Sequence, residues 1–204
     1  MTIKNTVLQE ALALLQKEGL HGISEEQLVH RLGISMATFQ ELFGSKENLV
    51  LEVVQYDVQG RKQAHAALFK NESSAVRKLL MVVEHGLQLL RQANPLLIVE
   101  LIEHYPRAWN VYLDYNSGYS AHLVHDLLNE GVLGGDLRRD INIHLVTKIL
   151  MEQVAMLVNP AVFPPETYNL GEAFRSIFLY YIRGLCTEEG MKKAEEFFSR
   201  TASF

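Results

Sequence analysis

The chain has 204 residues, of which 48% are hydrophobic and 21% charged, with 13 glycines and 5 prolines. This composition excludes a disordered, collagen-like or low-complexity protein. The formal net charge of −5 argues against nucleic acid binding over the whole surface but is compatible with a small basic face on one domain. The single cysteine, Cys186, excludes a disulfide framework and any multi-cysteine metal centre.

Neither the N-terminal residues nor the apolar stretches of the chain indicate a targeting or membrane segment. The opening residues, MTIKNTVLQE, are too polar for a signal peptide. The most continuous apolar stretch, residues 96–102, is interrupted by Glu100 and is far too short to span a bilayer. We therefore expect a soluble, cytoplasmic protein that has no membrane partner.

Hydrophobic residues recur at helical spacing along the chain, without the alternation typical of strands. Serines at the starts and glycines at the ends predict four N-terminal helices, at Ile3–Gly19, Ser24–Gly33, Ser35–Phe43 and from Ser45 to about Phe69. Longer helices are predicted at about 74–92, 95–104, 106–130, 141–158, 166–187 and 188–199. The predicted fold class is all-α, with about nine to ten helices in two domains, residues 1–48 and 49–204.

The order of helix, glycine, short helix, tight turn and short helix between Val7 and Leu49 is the plan of a helix-turn-helix. Such a motif presents its second short helix to the major groove of DNA. Gly33 permits the left-handed backbone of a sharp turn, and Ser35 begins a helix whose free amides can face phosphates. Residues 1–48 therefore form a candidate DNA-binding domain with a three-helix core.

The same segment resembles the TetR family of transcriptional repressors. The resemblance rests on Lys17-Glu18-Gly19, Ser24, Leu28-Val29, Gly33-Ile34-Ser35, Thr38, Phe43 and the tail Ser45-Lys46-Glu47-Asn48-Leu49. It implies a homodimeric repressor that binds a palindromic operator in double-stranded DNA and releases it when a small, mostly apolar effector binds the C-terminal domain, 49–204. The DNA-binding residues carried over by position are Ser24, Gln27, Ser35, Met36, Thr38, Gln40 and Lys46.

Each of these residues also has an ordinary structural interpretation. The serines are helix caps first, because hydroxyl groups at helix starts accept the free amides. Gln40 can read adenine, and Met36 can either touch a thymine methyl group or pack within the motif. Lys46, at the start of the fourth helix, matches the phosphate-binding lysine of the family.

The recognition segment departs from the family in its charge. Met36 stands where a Lys or Arg is usual, and Gln40, Glu41 and Leu42 replace an aromatic, an often basic and a second aromatic residue. Residues 1–48 hold four Lys and Arg against six Glu, the opposite sign to a typical DNA-reading module. An alternative function therefore stays open: a binding module with this fold that has weak or lost DNA recognition and acts through a small molecule or a protein partner.

Aromatic and histidine side chains between residues 81 and 119 are candidates for the effector pocket that the resemblance implies. They could equally be ordinary core residues. The predicted pocket residues are Met81, His85, Leu89, Leu101, His104, Tyr105, Trp109 and Tyr112. His122 and His125 share a helix face at a spacing compatible with a metal, but no third ligand is in register. No catalytic motif is present, so we expect no enzyme activity, no metal and no cofactor.

The apolar stripes of the predicted helices 141–158 and 166–187 are wider than one chain can cover. Pairing with a two-fold copy would bury them in a four-helix interface, while part of each stripe closes the monomer core. The predicted interface residues are Ile149, Met156, Phe174, Phe178 and Tyr181.

Overall fold

A computed structural model describes residues 2–20, 22–92, 94–157, 159–164 and 166–201. These residues form helices and loops without a β-strand, which confirms the all-α fold class. The helices are α1 (Ile3–Glu18), α2 (Glu25–Arg31), α3 (Met36–Leu42), α4 (Lys46–Phe69), α5 (Ala75–Gln92), α6 (Pro95–His104), α7 (Pro106–Asp114), α8 (Ala121–Leu133), α9 (Ile143–Leu157), α10 (Leu170–Leu185) and α11 (Glu188–Thr201).

Two of the predicted helices differ from the structure by more than two residues. The predicted helix 106–130 is divided into α7 and α8 by a π-helical turn, Tyr115–Ser120, whose Asn, Ser and Gly are weak helix formers. The predicted helix 166–187 begins only at Leu170, because the Asn169 side chain accepts the Glu172 N–H at 3.0 Å and caps the helix there. Val158, the predicted last residue of α9, lies outside the described residues.

The chain divides into two compact units, Met1–Gln63 with Gln92–Tyr115 and Ala64–Arg91 with Asn116–Phe204. The core of the first unit is built from α1 to α4 with α6 and α7, and its largest fully buried side chains are Phe39, Leu28 and Leu49. The packing of a unit does not show its function. The predicted division into a DNA-binding domain, 1–48, and an effector-binding domain, 49–204, therefore stays a prediction. Among the described helices, none combines the length and the apolar character that a membrane span requires.

The second unit contains a buried carboxylate that ties three segments together. Asp136 is 4% exposed, and its carboxylate accepts the Lys193 ammonium at 2.6 Å and the Ser74 hydroxyl at 3.0 Å. Its backbone carbonyl accepts the Thr187 N–H at 3.0 Å. Gly190 lies directly against that carbonyl, because a Cβ placed on it would stand 1.9 Å from the oxygen. The approach of α11 to this loop therefore requires glycine at position 190.

We expect Gly190→Ala to destabilise the protein by about 1–3 kcal/mol, the range for overpacked sites, as measured by urea unfolding. Gly60→Ala is the matched control, because Gly60 is exposed within α4 and a Cβ there would meet nothing within 4 Å. Alanine at position 60 should leave the stability unchanged or raise it by about 0.5–1 kcal/mol. Equal unfolding midpoints for Gly190→Ala and the unmodified chain would contradict the close contact.

Candidate functional site

The helices α2 and α3 are joined by the turn that a helix-turn-helix requires. Gly33 adopts a left-handed φ of 63°, which a side chain would strain. The Ile34 N–H donates to the Val29 carbonyl at 3.3 Å and closes the turn. Leu28 and Phe39, both fully buried, anchor one face of each helix in the core. The opposite face of α3 is thereby left on the surface.

The predicted DNA-contacting serines act as helix caps. Ser24 and Gln27 form a reciprocal capping box: the Ser24 hydroxyl accepts the Gln27 N–H, and the Gln27 side chain accepts the Ser24 N–H at 2.9 Å. The Ser35 hydroxyl accepts the Thr38 N–H at 3.0 Å and lies 2.9 Å from the Thr38 hydroxyl. These bonds define the starts of α2 and α3, and phosphate contact at these residues stays a prediction.

The outer face of α3 carries Met36, Gln40 and Glu41, all of them exposed. Thr38 is half-buried between this face and the core. The sequence of α3, MATFQEL, includes no basic side chain. The face therefore offers a thioether, an amide and a carboxylate to a partner, and any positive charge must come from neighbouring elements.

Lys46 is held by the polypeptide itself. Its ammonium donates to the carbonyls of Leu20 at 3.2 Å and Ile23 at 2.6 Å, and it is half-buried. Its backbone N–H donates to the Glu25 carboxylate at 2.7 Å. Sequence reasoning missed this arrangement, because nothing in the spacing of residues 20, 23 and 46 indicates that they meet. The role of Lys46 as a phosphate ligand stays a prediction.

Most of the positive charge of residues 1–48 is engaged within the chain. Lys4 pairs with Glu52 at 2.6 Å, Arg31 pairs with Glu18, and Lys46 holds the two carbonyls. Hydrogen bonds from its own N–H and from Ser24 lower the pKa of the exposed Glu26 carboxyl, so its negative charge persists to lower pH than that of an ordinary glutamate. Among the described residues around α3, little positive charge is therefore left unpaired to attract DNA over distance.

The eight predicted pocket residues are distributed over both compact units. Leu101 is buried in the core of the first unit, Tyr105, Trp109 and Tyr112 are half-buried there, and His104 is exposed beside Glu103. Met81, His85 and Leu89 are half-buried on α5 in the second unit. Their common use by one effector stays a prediction.

A buried polar cluster in the first unit involves Tyr112. Its hydroxyl donates to the Asp57 carboxylate at 2.7 Å, and the Arg61 guanidinium meets the same oxygen at 2.7 Å. Asp57 is 6% exposed, and the guanidinium lies 5.0 Å from the Tyr112 ring centre. Burial raises the pKa of the Tyr112 hydroxyl, so it remains a neutral donor. The cluster joins α4 to α7, and sequence reasoning identified only its tyrosine.

A second cluster, in the other unit, surrounds His85. His85 Nδ1 lies 3.1 Å from His65 Nε2, and the other nitrogen of His65 lies 3.4 Å from the Tyr119 hydroxyl. The His65 ring is 5% exposed and stacks against Tyr119 and Phe69. The π-helical turn positions Tyr119, so the residues that reshape the helix also complete the cluster. The spacing of residues 65, 85 and 119 in the sequence does not indicate that they meet.

The predicted dimer residues occupy two different environments. Phe174 and Phe178 are buried in the core of their own chain, where their rings stack at 4.5 Å, so they are not available to a partner. Ile149 and Tyr181 are half-buried, and Met156 is exposed. The exposed aromatic of α10 is Tyr180, at 69%, one residue before the predicted one.

Metal and nucleophile chemistry find no support in the described part of the chain. His122 Nδ1 lies 2.7 Å from the Gly118 carbonyl and His125 is beside Asp126, and no described group of three acidic, His or Cys side chains could hold a metal. Burial raises the pKa of the Cys186 thiol to about 11, which leaves the unreactive thiol form at neutral pH.

Comparison with known protein families shows to which family the chain belongs. A model of bacterial regulatory proteins of the tetR family matches residues 7–53, and a model of the C-terminal region of YsiA-like proteins matches residues 61–184. The second match alone covers more than half of the chain. The chain belongs to the TetR family of transcriptional regulators.

Individual relatives agree with this assignment. The chain is 26% identical over 187 residues to the uncharacterized HTH-type transcriptional regulator YvaF of Bacillus subtilis, covering 90% of this chain and 95% of the relative. A protein assigned as a transcriptional regulator from Saccharomonospora viridis, solved with choline, aligns at a TM-score of 0.72 and 17% identity, covering 91% and 98% of the two chains. The regulator FadR from Bacillus subtilis, solved with stearoyl-CoA, aligns at 0.64 and 16% identity, covering 88% and 98%.

We expect Asp57→Asn to lower the free energy of unfolding by about 2–4 kcal/mol, because it leaves the partly buried Arg61 guanidinium without its counter-charge. Urea unfolding followed by circular dichroism measures the effect. Glu52→Gln is the control: it breaks the more exposed pair with Lys4 and should cost no more than about 1 kcal/mol. Equal losses of unfolding free energy for the two variants would show that the Asp57–Arg61 pair stabilises the protein no more than the exposed Lys4–Glu52 pair does.

Proposed function

We propose that the protein is a ligand-responsive repressor that acts in the cytoplasm and binds a palindromic operator as a homodimer. The observation that carries this proposal is the helix-turn-helix, which buries Leu28 and Phe39 and leaves Met36 and Gln40 of α3 on the surface. A seven-residue helix with one buried face and one exposed face has the form that enters a major groove.

In this proposal the exposed face of α3 reads the base edges. The Gln40 amide can bond the adjacent donor and acceptor of adenine, and Met36 can contact a thymine methyl group. Ser24, Gln27, Ser35 and Thr38 lie at the two helix starts, where backbone amides favour phosphate oxygens. With the cations of residues 1–48 largely engaged, few phosphate contacts can form, and we expect modest affinity with a shallow dependence on salt.

A second copy of the chain would cover an apolar stripe on α9 and α10. Leu145, Ile149 and Met156 follow one another at helical spacing on α9 and are half-buried or exposed. Ile177 and Tyr180 extend the same character along α10. A two-fold interface on these helices would relate two recognition helices by symmetry, and the operator would then be an inverted repeat.

An effector is proposed from the relatives rather than from a site seen in this chain. One solved neighbour carries choline, a small cation, and another carries stearoyl-CoA, whose long acyl chain is apolar. We propose a small, mostly apolar effector that lowers the affinity for DNA. A ligand of this kind raises the melting temperature through linkage, so thermal shift assays with choline and with long-chain acyl-CoA test this step directly.

The experiment that tests DNA binding is a fluorescence anisotropy titration with DNA from upstream of the protein's own gene, at low salt and in the presence of non-specific competitor. Specific binding that is lost on scrambling the sequence supports the proposal. A well-folded dimer that binds neither sequence better than the other would overturn it.

A second candidate function keeps the fold without DNA recognition. Glu41 on α3 and the engaged Lys4, Arg31 and Lys46 favour it, since they lower the local attraction for phosphates. Such a protein would act through a small molecule or a protein partner. The same titration separates the two candidates, because only the repressor discriminates between operator and scrambled DNA.

We expect Gln40→Ala to relax the preference at one base pair of each half-site, at a cost of about 1–3 kcal/mol for the preferred base. A panel of single-base operator variants measures this preference. Glu41→Gln is the control on the neighbouring exposed position: it removes a negative charge and should tighten binding to all sequences alike. A uniform effect of Gln40→Ala on every variant would remove Gln40 from base recognition.

We expect Tyr180→Glu to convert the dimer into monomers at micromolar concentration, because a charge at the centre of an apolar interface must be desolvated without a partner. Sedimentation velocity measures the species. Leu96→Glu is the control, since Leu96 is 56% exposed on α6, away from α9 and α10 in the chain. A stable monomer of the unmodified protein would exclude the proposed assembly.

A further inference from the structure

The connection between α1 and α2 is held by side chains from two distant helices. Glu100 of α6 accepts the Leu20 N–H at 2.6 Å in a buried contact. The ammonium of Lys46, at the start of α4, donates to the carbonyls of Leu20 and Ile23. Leu20 is therefore bonded by an anion on its N–H and by a cation on its carbonyl.

Glycine lets α1 end close to the carboxylate. Gly19 has a left-handed φ of 78°, and a Cβ built on it would stand 3.1 Å from Glu100 Oε2. Beside this contact, the Asn94 N–H, just before α6, donates to the Gln16 carbonyl at 3.0 Å. Two separate hydrogen bonds thus join this region to α6: one from the residue just before α6 to the last turn of α1, and one from Leu20, just after α1, to the middle of α6.

The end of α6 reaches the other half of the arrangement. The Tyr105 ring, directly after α6, lies 5.9 Å from the Lys46 ammonium, a distance at which an aromatic face attracts a cation. The helix α6 therefore supplies the anion that holds Leu20, and the residue after the helix supplies the ring that lies beside the cation.

A buried carboxylate contributes little to the net stability of a protein, but it fixes the position of the group that bonds to it. Glu100 is 8% exposed, and removing a charge from water costs several kcal/mol. A charge-assisted bond to a backbone N–H offsets this cost only when distance and direction are well defined. The contact therefore favours one arrangement of the α1–α2 connection over the alternatives.

We propose that Glu100 is a positioning residue for DNA recognition: by bonding Leu20 it sets the α1–α2 connection, and with it the start of α2 and the presentation of α3. This proposal rests on the proposed function, since it specifies what controls the DNA-reading motif. Lys46 then acts with Glu100 on the same segment. Its ammonium group holds two carbonyls of the α1–α2 connection, and any contact with a phosphate would be an additional role.

The test compares Glu100→Ala and Glu100→Gln with the control Glu103→Gln. Glu103 lies on the same helix and its side chain is 61% exposed. Glu100→Ala removes the acceptor, while Glu100→Gln keeps an amide oxygen for the Leu20 N–H. We expect about tenfold weaker specific binding for Ala and a smaller loss for Gln, with non-specific binding unchanged. Affinities are measured at a temperature where circular dichroism shows every variant fully folded.

Hydrogen exchange of the free protein gives a readout that a general loss of stability would not produce. We expect faster exchange of the Leu20 amide in Glu100→Ala, with exchange of the core amides of α4 unchanged and with Glu103→Gln like the unmodified chain. Equal acceleration throughout the first unit would reduce Glu100 to a structural role and overturn the proposal.

The proposal and the proposed function fail in different ways. If the unmodified protein shows no specific DNA binding, the proposed function is wrong and the positioning role for DNA falls with it. If the unmodified protein binds specifically and Glu100→Ala binds equally well, the repressor function stands and only the positioning role is overturned.

Discussion

The DNA-reading motif depends on the burial of a few apolar side chains. Helices of seven residues, like α2 and α3, are too short to be stable in water by themselves. They persist because Leu28 and Phe39 are completely buried, and each fully buried side chain of this size contributes about 1.5–3 kcal/mol. Caps and a left-handed glycine then determine where each helix starts and turns. The exposed face of α3 is a consequence of this packing.

The N-terminal part of the fold was predictable because its signals are local. Capping residues such as Ser24 and Ser35 and the turn glycine Gly33 act within a few positions of themselves, and the structure confirms the helices that they predicted. The π-helical turn at Tyr115–Ser120 was missed, because competing helical forms differ little in energy and tertiary contacts decide between them.

The candidate site was less predictable than the fold, because its decisive contacts are long-range. Glu100 lies 80 residues from Leu20, and Tyr112 lies 55 residues from Asp57. Periodicity tells which face of a helix is apolar, but not which distant polar group will meet it. The same limit applies to Phe174 and Phe178: a wide apolar stripe indicated burial, while the question of burial by the same chain or by a partner required the structure.

Electrostatics and symmetry together constrain how such a protein could recognise DNA. With the charge of Lys46 directed at two carbonyls and α3 free of basic residues, one head alone would gain little from counterion release. Joining two heads in a dimer makes the second contact intramolecular and raises its effective concentration. This gain vanishes when the spacing or tilt of the heads no longer matches the operator. A weakly charged recognition helix therefore makes binding more sensitive to the geometry of the motif, and small shifts of the segment around Leu20 would have a correspondingly large effect.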